Sequence, residues 1–155
     1  MKKYLNLFIF LLFTSCIRDG NTSNNVNIEN NTNHIIKLIP YKNGVVDSLK
    51  IKAIPNYSSI QIERNNQRGK TEVPVVFWDY FKNLDSIVII WDNTYSVTHM
   101  LSDTFFSAKK YIQFDEIRNI GLNSSYTNTS SNESKIGITW HVNYTFTEQD
   151  YLDAK

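Results

Sequence analysis

The chain has 155 residues, of which 41% are hydrophobic and 14% aromatic, and its formal net charge is +1. This length is typical of one domain, and the apolar content is too high for a disordered chain. A near-neutral chain lacks the clustered basic residues that nucleic-acid binding requires. We therefore expect one folded domain that has no nucleic-acid partner.

Residues 1–15 have the pattern of a cleavable export signal. Lys2 and Lys3 give a positive start, and residues 4–13 form an apolar stretch. Since a transmembrane helix needs about 20 apolar residues, this shorter stretch favours a signal peptide. Without Lys2 and Lys3 the chain has 14 Lys and Arg against 15 Asp and Glu, a net charge of −1.

The apolar stretch ends in Phe13-Thr14-Ser15-Cys16. This segment resembles the lipobox of bacterial lipoproteins, in which a hydrophobic residue and two small residues precede an invariant Cys. The resemblance implies cleavage before Cys16 and lipidation of its thiol, although Phe13 stands where Leu is usual. A secretory signal in which Cys16 is incidental is the alternative.

A lipoprotein carries two or three acyl chains, which hold it permanently on a membrane. Ile17-Arg18 lacks the Asp that, directly after the Cys, resembles an inner-membrane retention signal. The outer membrane is therefore favoured, with the domain facing either the periplasm or the cell surface. Because Cys16 is the single cysteine of the chain, an intramolecular disulfide and a Cys-based zinc site are both excluded.

Residues 16–33 are predicted to be the lipidated Cys and a flexible Asn-rich tether, and residues 34–155 the folded domain. The tether is polar, with Val26 and Ile28 as its sizeable apolar residues after residue 19. A flexible segment of this length spans roughly 20 to 25 Å and would lift the domain off the bilayer. Alternation over residues 26–29 is also compatible with a short first strand.

Most of the remaining segments alternate apolar and polar residues, as strands with one buried face do. Asn43-Gly44 and Asp92-Asn93 predict tight turns between neighbouring strands. The most continuously apolar segment should be a central strand buried on both faces. Strands are predicted over residues 34–41, 45–53, 59–63, 85–91, 95–100 and 138–146.

Residues 64–70 and 123–134 are polar and are predicted to be exposed loops. Apolar residues at three- and four-residue spacing between Phe77 and Leu84 predict one or two helical turns over an end of the core. Thr147 is a suitable N-cap for a short C-terminal helix.

Six or seven short strands without alternating helices predict a mainly β protein. The expected fold is an antiparallel β-sandwich, immunoglobulin-like or transthyretin-like, with one or two short helices. A small open β-barrel is the alternative.

The chain also resembles the small, uncharacterised lipoproteins of Bacteroidota in its Asn-rich segment, its residues 85–92 and its closing residues 144–151. That group has no established activity, so the resemblance implies no catalytic residue.

The sequence contains no motif that predicts catalysis, a cofactor or a bound metal. His34, His99 and His141 are far apart in the sequence and lack the spacing of zinc ligands. The nucleophile motif Gly-x-Ser-x-Gly does not occur. We therefore predict that the protein is not an enzyme.

Four aromatic residues, Trp78, Tyr80, Trp91 and Tyr95, lie around the predicted central hairpin. Exposed aromatics on a β-sandwich can stack on sugar rings or anchor a protein partner, whereas the more ordinary interpretation places them in the core. Two functions follow from these observations. One is a lipid-anchored interaction module of the cell envelope, and the other is a carbohydrate-binding lipoprotein that uses these aromatics.

Overall fold

A computed structural model describes residues 20–69, 80–102, 110–113, 115–134 and 137–155. The predicted signal peptide and Cys16 lie outside these residues, as does Trp78. Within them the chain forms ten strands in two sheets, one α-helix and two 3-10 turns.

Sheet A contains the first strand of the described chain and the last. Its strands are β1 (Asn21–Asn31), β5 (Ser58–Arg68), β9 (Thr127–Ser134) and β10 (Gly137–Thr147). They are ordered β5-β1-β10-β9, so that β1 lies inside the sheet. β1 runs antiparallel to β5 and parallel to β10.

Sheet B is built around the predicted central hairpin. Its strands are β2 (Ile36–Lys42), β3 (Val45–Val46), β4 (Lys52–Ile54), β6 (Ser86–Trp91), β7 (Tyr95–Met100) and β8 (Tyr111–Ile112). Their order is β3-β2-β6-β7-β8, and β4 also pairs with β2. The β7–β8 pair is parallel and the other pairs are antiparallel.

The two sheets bury their apolar faces against each other. Ile28 and Phe146 of sheet A share one core with Leu38, Ile89 and Trp91 of sheet B. The rings of Trp91 and Phe146 meet edge to face at 5.8 Å. The predicted β-sandwich is therefore confirmed, with two parallel pairs among its antiparallel ones, and the sheets do not close into the alternative barrel.

A short helix, α1 (Glu148–Ala154), follows β10 directly. The carboxylate of Asp150 accepts hydrogen bonds from the Thr147 backbone N–H at 2.7 Å and the Thr147 hydroxyl at 2.8 Å. These bonds fix the first turn of the helix. They confirm the predicted helix and its start after Thr147.

Strand β1 corrects the prediction of a flexible tether at residues 16–33 for its own residues, Asn21–Asn31. From Asn21 to Asn30 the chain is paired on both sides, and its inward residues Thr22, Asn24, Val26, Ile28 and Asn30 are buried. The possible short strand over residues 26–29 is thus confirmed, and it is longer than predicted. Three of the five inward residues are polar, so the alternation was not recognised outside residues 26–29. Asn30, for example, can be buried at low cost, because its amide nitrogen donates to the carbonyls of His34 at 2.7 Å and Pro55 at 2.9 Å. The folded domain thus begins before residue 34.

Two further segments predicted as loops are strands. β5 continues through Arg68, and β9 occupies most of residues 123–134. Strand pairing satisfies backbone hydrogen bonds whatever the side chains are, so polar segments can enter a sheet beside an existing strand. The strand predicted over residues 45–53 is instead divided into β3, a 3-10 turn (Ser48–Lys50) and β4.

The turn predictions are confirmed. Asn43 and Gly44 have φ angles of 51° and 74°, and Asp92 and Asn93 have φ angles of 49° and 58°. These are the left-handed conformations that two-residue hairpins require. Of the predicted helical turns at residues 77–84, those before residue 80 lie outside the described chain, and residues 80–83 form a turn.

Candidate functional site

Three of the four aromatic residues predicted to contact a ligand are described, and these three do not form an exposed surface; Trp78 lies outside the described residues. Trp91 is 0% exposed and Tyr80 is 8% exposed, and the Tyr80 hydroxyl donates to the Lys50 carbonyl at 2.7 Å. Tyr95 is half-buried against the ring of Tyr151 at 5.7 Å. The structure thus corrects the ligand-contact prediction for Tyr80 and Trp91, which belong to the core.

A cleft of about 760 Å³ opens beside Trp91, between α1, strands β7 and β8, and residues 116–118. Trp91 and His99 form its floor. Its walls carry apolar residues that face solvent, namely Tyr111, which is 41% exposed, and Ile117, which is 80% exposed. Charged side chains also line it: Lys110, Glu116, Arg118, Asp150 and Asp153.

Arg118 is held in place at one wall of the cleft. Its guanidinium is hydrogen-bonded to the Asp150 carboxylate, donates to the Thr145 carbonyl at 3.2 Å, and lies 5.5 Å from the centre of the Tyr144 ring. Burial is the largest single effect and opposes its charge, but the hydrogen bond with Asp150 and the electrostatic effects of Tyr144, Asp150 and Asp153 together outweigh burial and raise the pKa of Arg118. The cleft therefore contains a permanent cation whose position is set by the cap of α1.

Two buried polar side chains hold the chain on either side of Arg118. His99 Nδ1 accepts a hydrogen bond from the Ile120 N–H at 2.9 Å. The Asn119 amide donates to the carbonyls of Met100 and Gln113, both at 2.7 Å. The wall of the cleft is thus fastened to β7 from inside the fold.

His99 is a neutral imidazole in the folded protein. Burial lowers its pKa to about 3, and the accepting role of Nδ1 assigns the ring proton to Nε2. A neutral, buried ring of this kind supports structure and does not supply an imidazolium to the cleft.

A second polar cluster lies near the start of α1, and we call it the His34 cluster: His34, Asp92, Glu148 and Tyr151. His34 Nδ1 lies 2.5 Å from Asp92 Oδ2, and its Nε2 lies 3.6 Å from Glu148 Oε2. The ring stacks on Tyr151 with 3.6 Å between centroids. The hydrogen bond from His34 lowers the pKa of Asp92. Because both ring nitrogens face carboxylates, this cluster ties α1 to the sandwich rather than presenting a base to a substrate.

Metal binding has no support in the part of the chain that the structure describes. No group of three or more His, Cys, Asp or Glu residues there is placed to hold a metal ion. Among the same residues, no helix combines the length and the apolar character needed to cross a membrane.

No family model, curated protein or solved structure matches the chain. The candidate site is therefore defined by its geometry. Sequence reasoning did not find Arg118 or Ile117, because residues 110–122 lack a clear periodicity. The one usable signal was Asp150, which stands three residues after the predicted N-cap Thr147 and holds Arg118.

Proposed function

We propose that this protein is a lipid-anchored interaction module of the bacterial cell envelope, which binds a partner protein in the cleft beside α1. The anchor is supported by the export pattern of residues 1–15 and by the lipobox-like segment that ends in Cys16. The residues after Cys16 favour the outer membrane as its location.

The composition of the cleft is the observation that carries the binding role. Protein interfaces combine apolar and aromatic contacts with Arg and a charged rim. Ile117 and Tyr111 supply exposed apolar surface here, and Arg118 is a cation whose direction is fixed. Carbohydrate binding is less well supported, because Tyr80 and Trp91 are core residues without a face on which a sugar could stack.

The anchor is tested by metabolic labelling of cells with a fatty-acid probe. We expect label on the wild-type protein and none on Cys16→Ala, since Cys16 supplies the only thiol of the chain. Ser15→Gly keeps a small residue before the cleavage site and is the matched control, which should remain labelled. Label on Cys16→Ala would refute lipidation at this residue.

The cleft is tested by in-cell crosslinking and quantitative co-purification of the anchored protein. Ile117→Asp places an unpaired charge in the apolar wall, and we expect it to reduce partner recovery about tenfold or more. Leu49→Asp is the matched control, because Leu49 is 92% exposed and does not line the cleft. Equal recovery with both variants would rule out the cleft as the binding surface.

A further inference from the structure

Tyr57 is a strongly exposed aromatic residue in the turn between β4 and β5. Unlike Tyr80 and Trp91, which are core residues, it is 66% exposed, and its backbone has a φ angle of 49°. Gly and Asn adopt this left-handed conformation readily, whereas for a bulky side chain it is an outlier. Strained conformations of this kind persist where the surrounding structure imposes them, and they are concentrated at functional sites. Tyr57 is therefore a candidate for a role in binding.

Hydrogen bonds to buried and neighbouring residues fix the turn that carries Tyr57. Asn30 is 2% exposed, and its amide nitrogen donates to the Pro55 carbonyl at 2.9 Å. The Tyr57 N–H donates to the carbonyl of Thr32, which is itself buried, at 3.3 Å. The Ser58 hydroxyl donates to the Pro55 carbonyl at 2.7 Å. The exposed ring thus extends from a backbone that the fold holds in one position.

A cavity of about 320 Å³ lies beside Tyr57, at the outer face of sheet A. Tyr57 lines it together with Glu29, Asn31, Ser59 and Thr145. Each of the described residues that line it carries a hydroxyl, amide or carboxyl group, and Glu29 alone among them is charged. None of these residues lines the cleft on the other side of the fold's last strand. The volume of the cavity is that of a site for a small ligand.

The carboxylate of Glu29 is oriented by neighbouring side chains of β10. Asn143 is 7% exposed, and its amide nitrogen donates to Glu29 Oε1. The Thr145 hydroxyl donates to Glu29 Oε2 at 3.0 Å. The Asn143 amide oxygen in turn accepts a hydrogen bond from the Asn27 amide at 3.0 Å. Each carboxylate oxygen can accept a further hydrogen bond, so Glu29 is a preorganised acceptor for a ligand.

The lining of the cavity suits a neutral carbohydrate better than a charged ligand. One face of a sugar ring is apolar and stacks on aromatic rings, and sugar hydroxyls both donate and accept hydrogen bonds. An anionic ligand would face Glu29 without a compensating cation among the described lining residues. A cationic ligand would use Glu29 but would leave the donors of Asn31 and Ser59 without an acceptor.

We propose that this cavity binds a neutral oligosaccharide, with one sugar ring stacked on Tyr57 and its hydroxyls hydrogen-bonded to Glu29. The pair of Asn27 with Gln61 lies next to the pair of Glu29 with Ser59 in strands β1 and β5. These amides continue the polar surface, so that more than one sugar can lie on it. The site is separate from the cleft and does not depend on the lipid anchor.

The site is tested by isothermal titration calorimetry on the full-length protein, purified in a detergent without a sugar headgroup. The probes are hexasaccharides of cellulose, xylan, mannan, starch and chitin. We expect at least one of them to bind, and we expect Tyr57→Ala to weaken its binding about tenfold or more, because this variant removes the stacking surface. Failure of every probe to bind would overturn the proposal.

Matched variants separate a role of the Tyr57 ring in binding from a role in the turn. Tyr57→Phe keeps the ring and should bind as the wild type does. Tyr57→Asn removes the ring but suits a positive φ, so it should lose binding without lowering the midpoint of thermal unfolding. Tyr111→Ala removes an exposed ring that lines the cleft instead, and it should keep full binding. Binding by Tyr57→Asn at the wild-type affinity would overturn the proposal.

The neutral character of the ligand is tested with salt and with a cationic probe. Binding of the oligosaccharide should change by less than about twofold as ionic strength rises, since salt screens interactions between charged partners. Glu29→Ala should weaken this binding several-fold, because it removes the fixed acceptor. Trilysine is the cationic probe and should bind more weakly than the oligosaccharide. If trilysine binds more tightly, and salt weakens its binding, the carbohydrate assignment is wrong.

Discussion

His99 shows how one buried residue can link a binding surface to pH. It keeps the residues after Arg118 in place through the bond from the Ile120 N–H to Nδ1. Protonation of Nδ1 would break this bond and place a charge in the core. Burial accordingly lowers its pKa to about 3, from the ordinary value of 6.5.

Between about pH 6.5 and pH 3 the unfolded chain binds one more proton at His99 than the folded chain does. Stability therefore rises with pH across this window, and acidification lowers the free energy of unfolding by up to about 1.4 kcal/mol per pH unit. In His99→Asn the amide oxygen can accept the same N–H without titrating.

We expect urea denaturation across this window to show a weaker pH dependence for His99→Asn than for the wild type. The same pH dependence in both proteins would contradict the assignment of a neutral His99.

At the scale of strands, Gly137 permits the close approach of β10 to β1. A Cβ at this position would lie 2.3 Å from the Asn21 carbonyl oxygen and 3.2 Å from the carbonyl carbon. Since both atoms belong to the backbone of a paired strand, they cannot rotate away as a side chain could.

We expect Gly137→Ala to lower the free energy of unfolding by about 1 to 3 kcal/mol, the usual cost of a steric overlap in a packed region. Gly121→Ala is a useful comparison, because its Cβ would meet chiefly the flexible end of the Leu101 side chain. Chemical denaturation should show a smaller loss for Gly121→Ala. Equal losses would mean that the β1–β10 contact is not the constraint.

The strands that could be predicted from sequence are those whose position is set by apolar burial. β7 and β10 alternate apolar and polar residues, β2 is rich in apolar residues, and β6 is almost continuously apolar; their predicted positions are confirmed with small shifts at the ends. β9 and the second half of β5 are composed mostly of Ser, Asn, Thr, Arg and Gln. Backbone pairing with a neighbouring strand places them in the sheet, and a single sequence does not show which neighbour that will be.

The candidate site was harder to predict than the fold. Arg118 and Asp150 are 32 residues apart in sequence, and no local pattern connects them. The aromatic content instead led to the prediction that Trp91 contacts a ligand. The size of its side chain suits the core equally well, and Trp91 lies in the core. Composition alone cannot separate a large residue that fills the interior from one that binds a ligand.

At the scale of the whole molecule, the presence of β1 shows that the folded domain begins earlier in the chain than the predicted residue 34. Because β1 separates β5 from β10, its removal would leave β5 without a partner and β10 with an unpaired edge, and would expose Tyr144 and Phe146. Most of the segment predicted to be a flexible tether is thus a central part of the sandwich.

We expect a truncated chain of residues 34–155 to lack cooperative thermal unfolding and to aggregate, as judged by circular dichroism and size-exclusion chromatography. A chain of residues 20–155 keeps β1 and should unfold in one transition. Cooperative unfolding of residues 34–155 would show that sheet A is stable without β1.

The pairing of β1 with β10 also determines when sheet A can form as the chain is synthesised. The amides of Asn27 and Asn143 are hydrogen-bonded at 3.0 Å across 116 residues of chain. Contacts between residues so distant in sequence form slowly. A chain that leaves a ribosome or crosses a membrane from its N-terminus presents β1 first and β10 last. Sheet A therefore stays open until almost the whole chain has emerged.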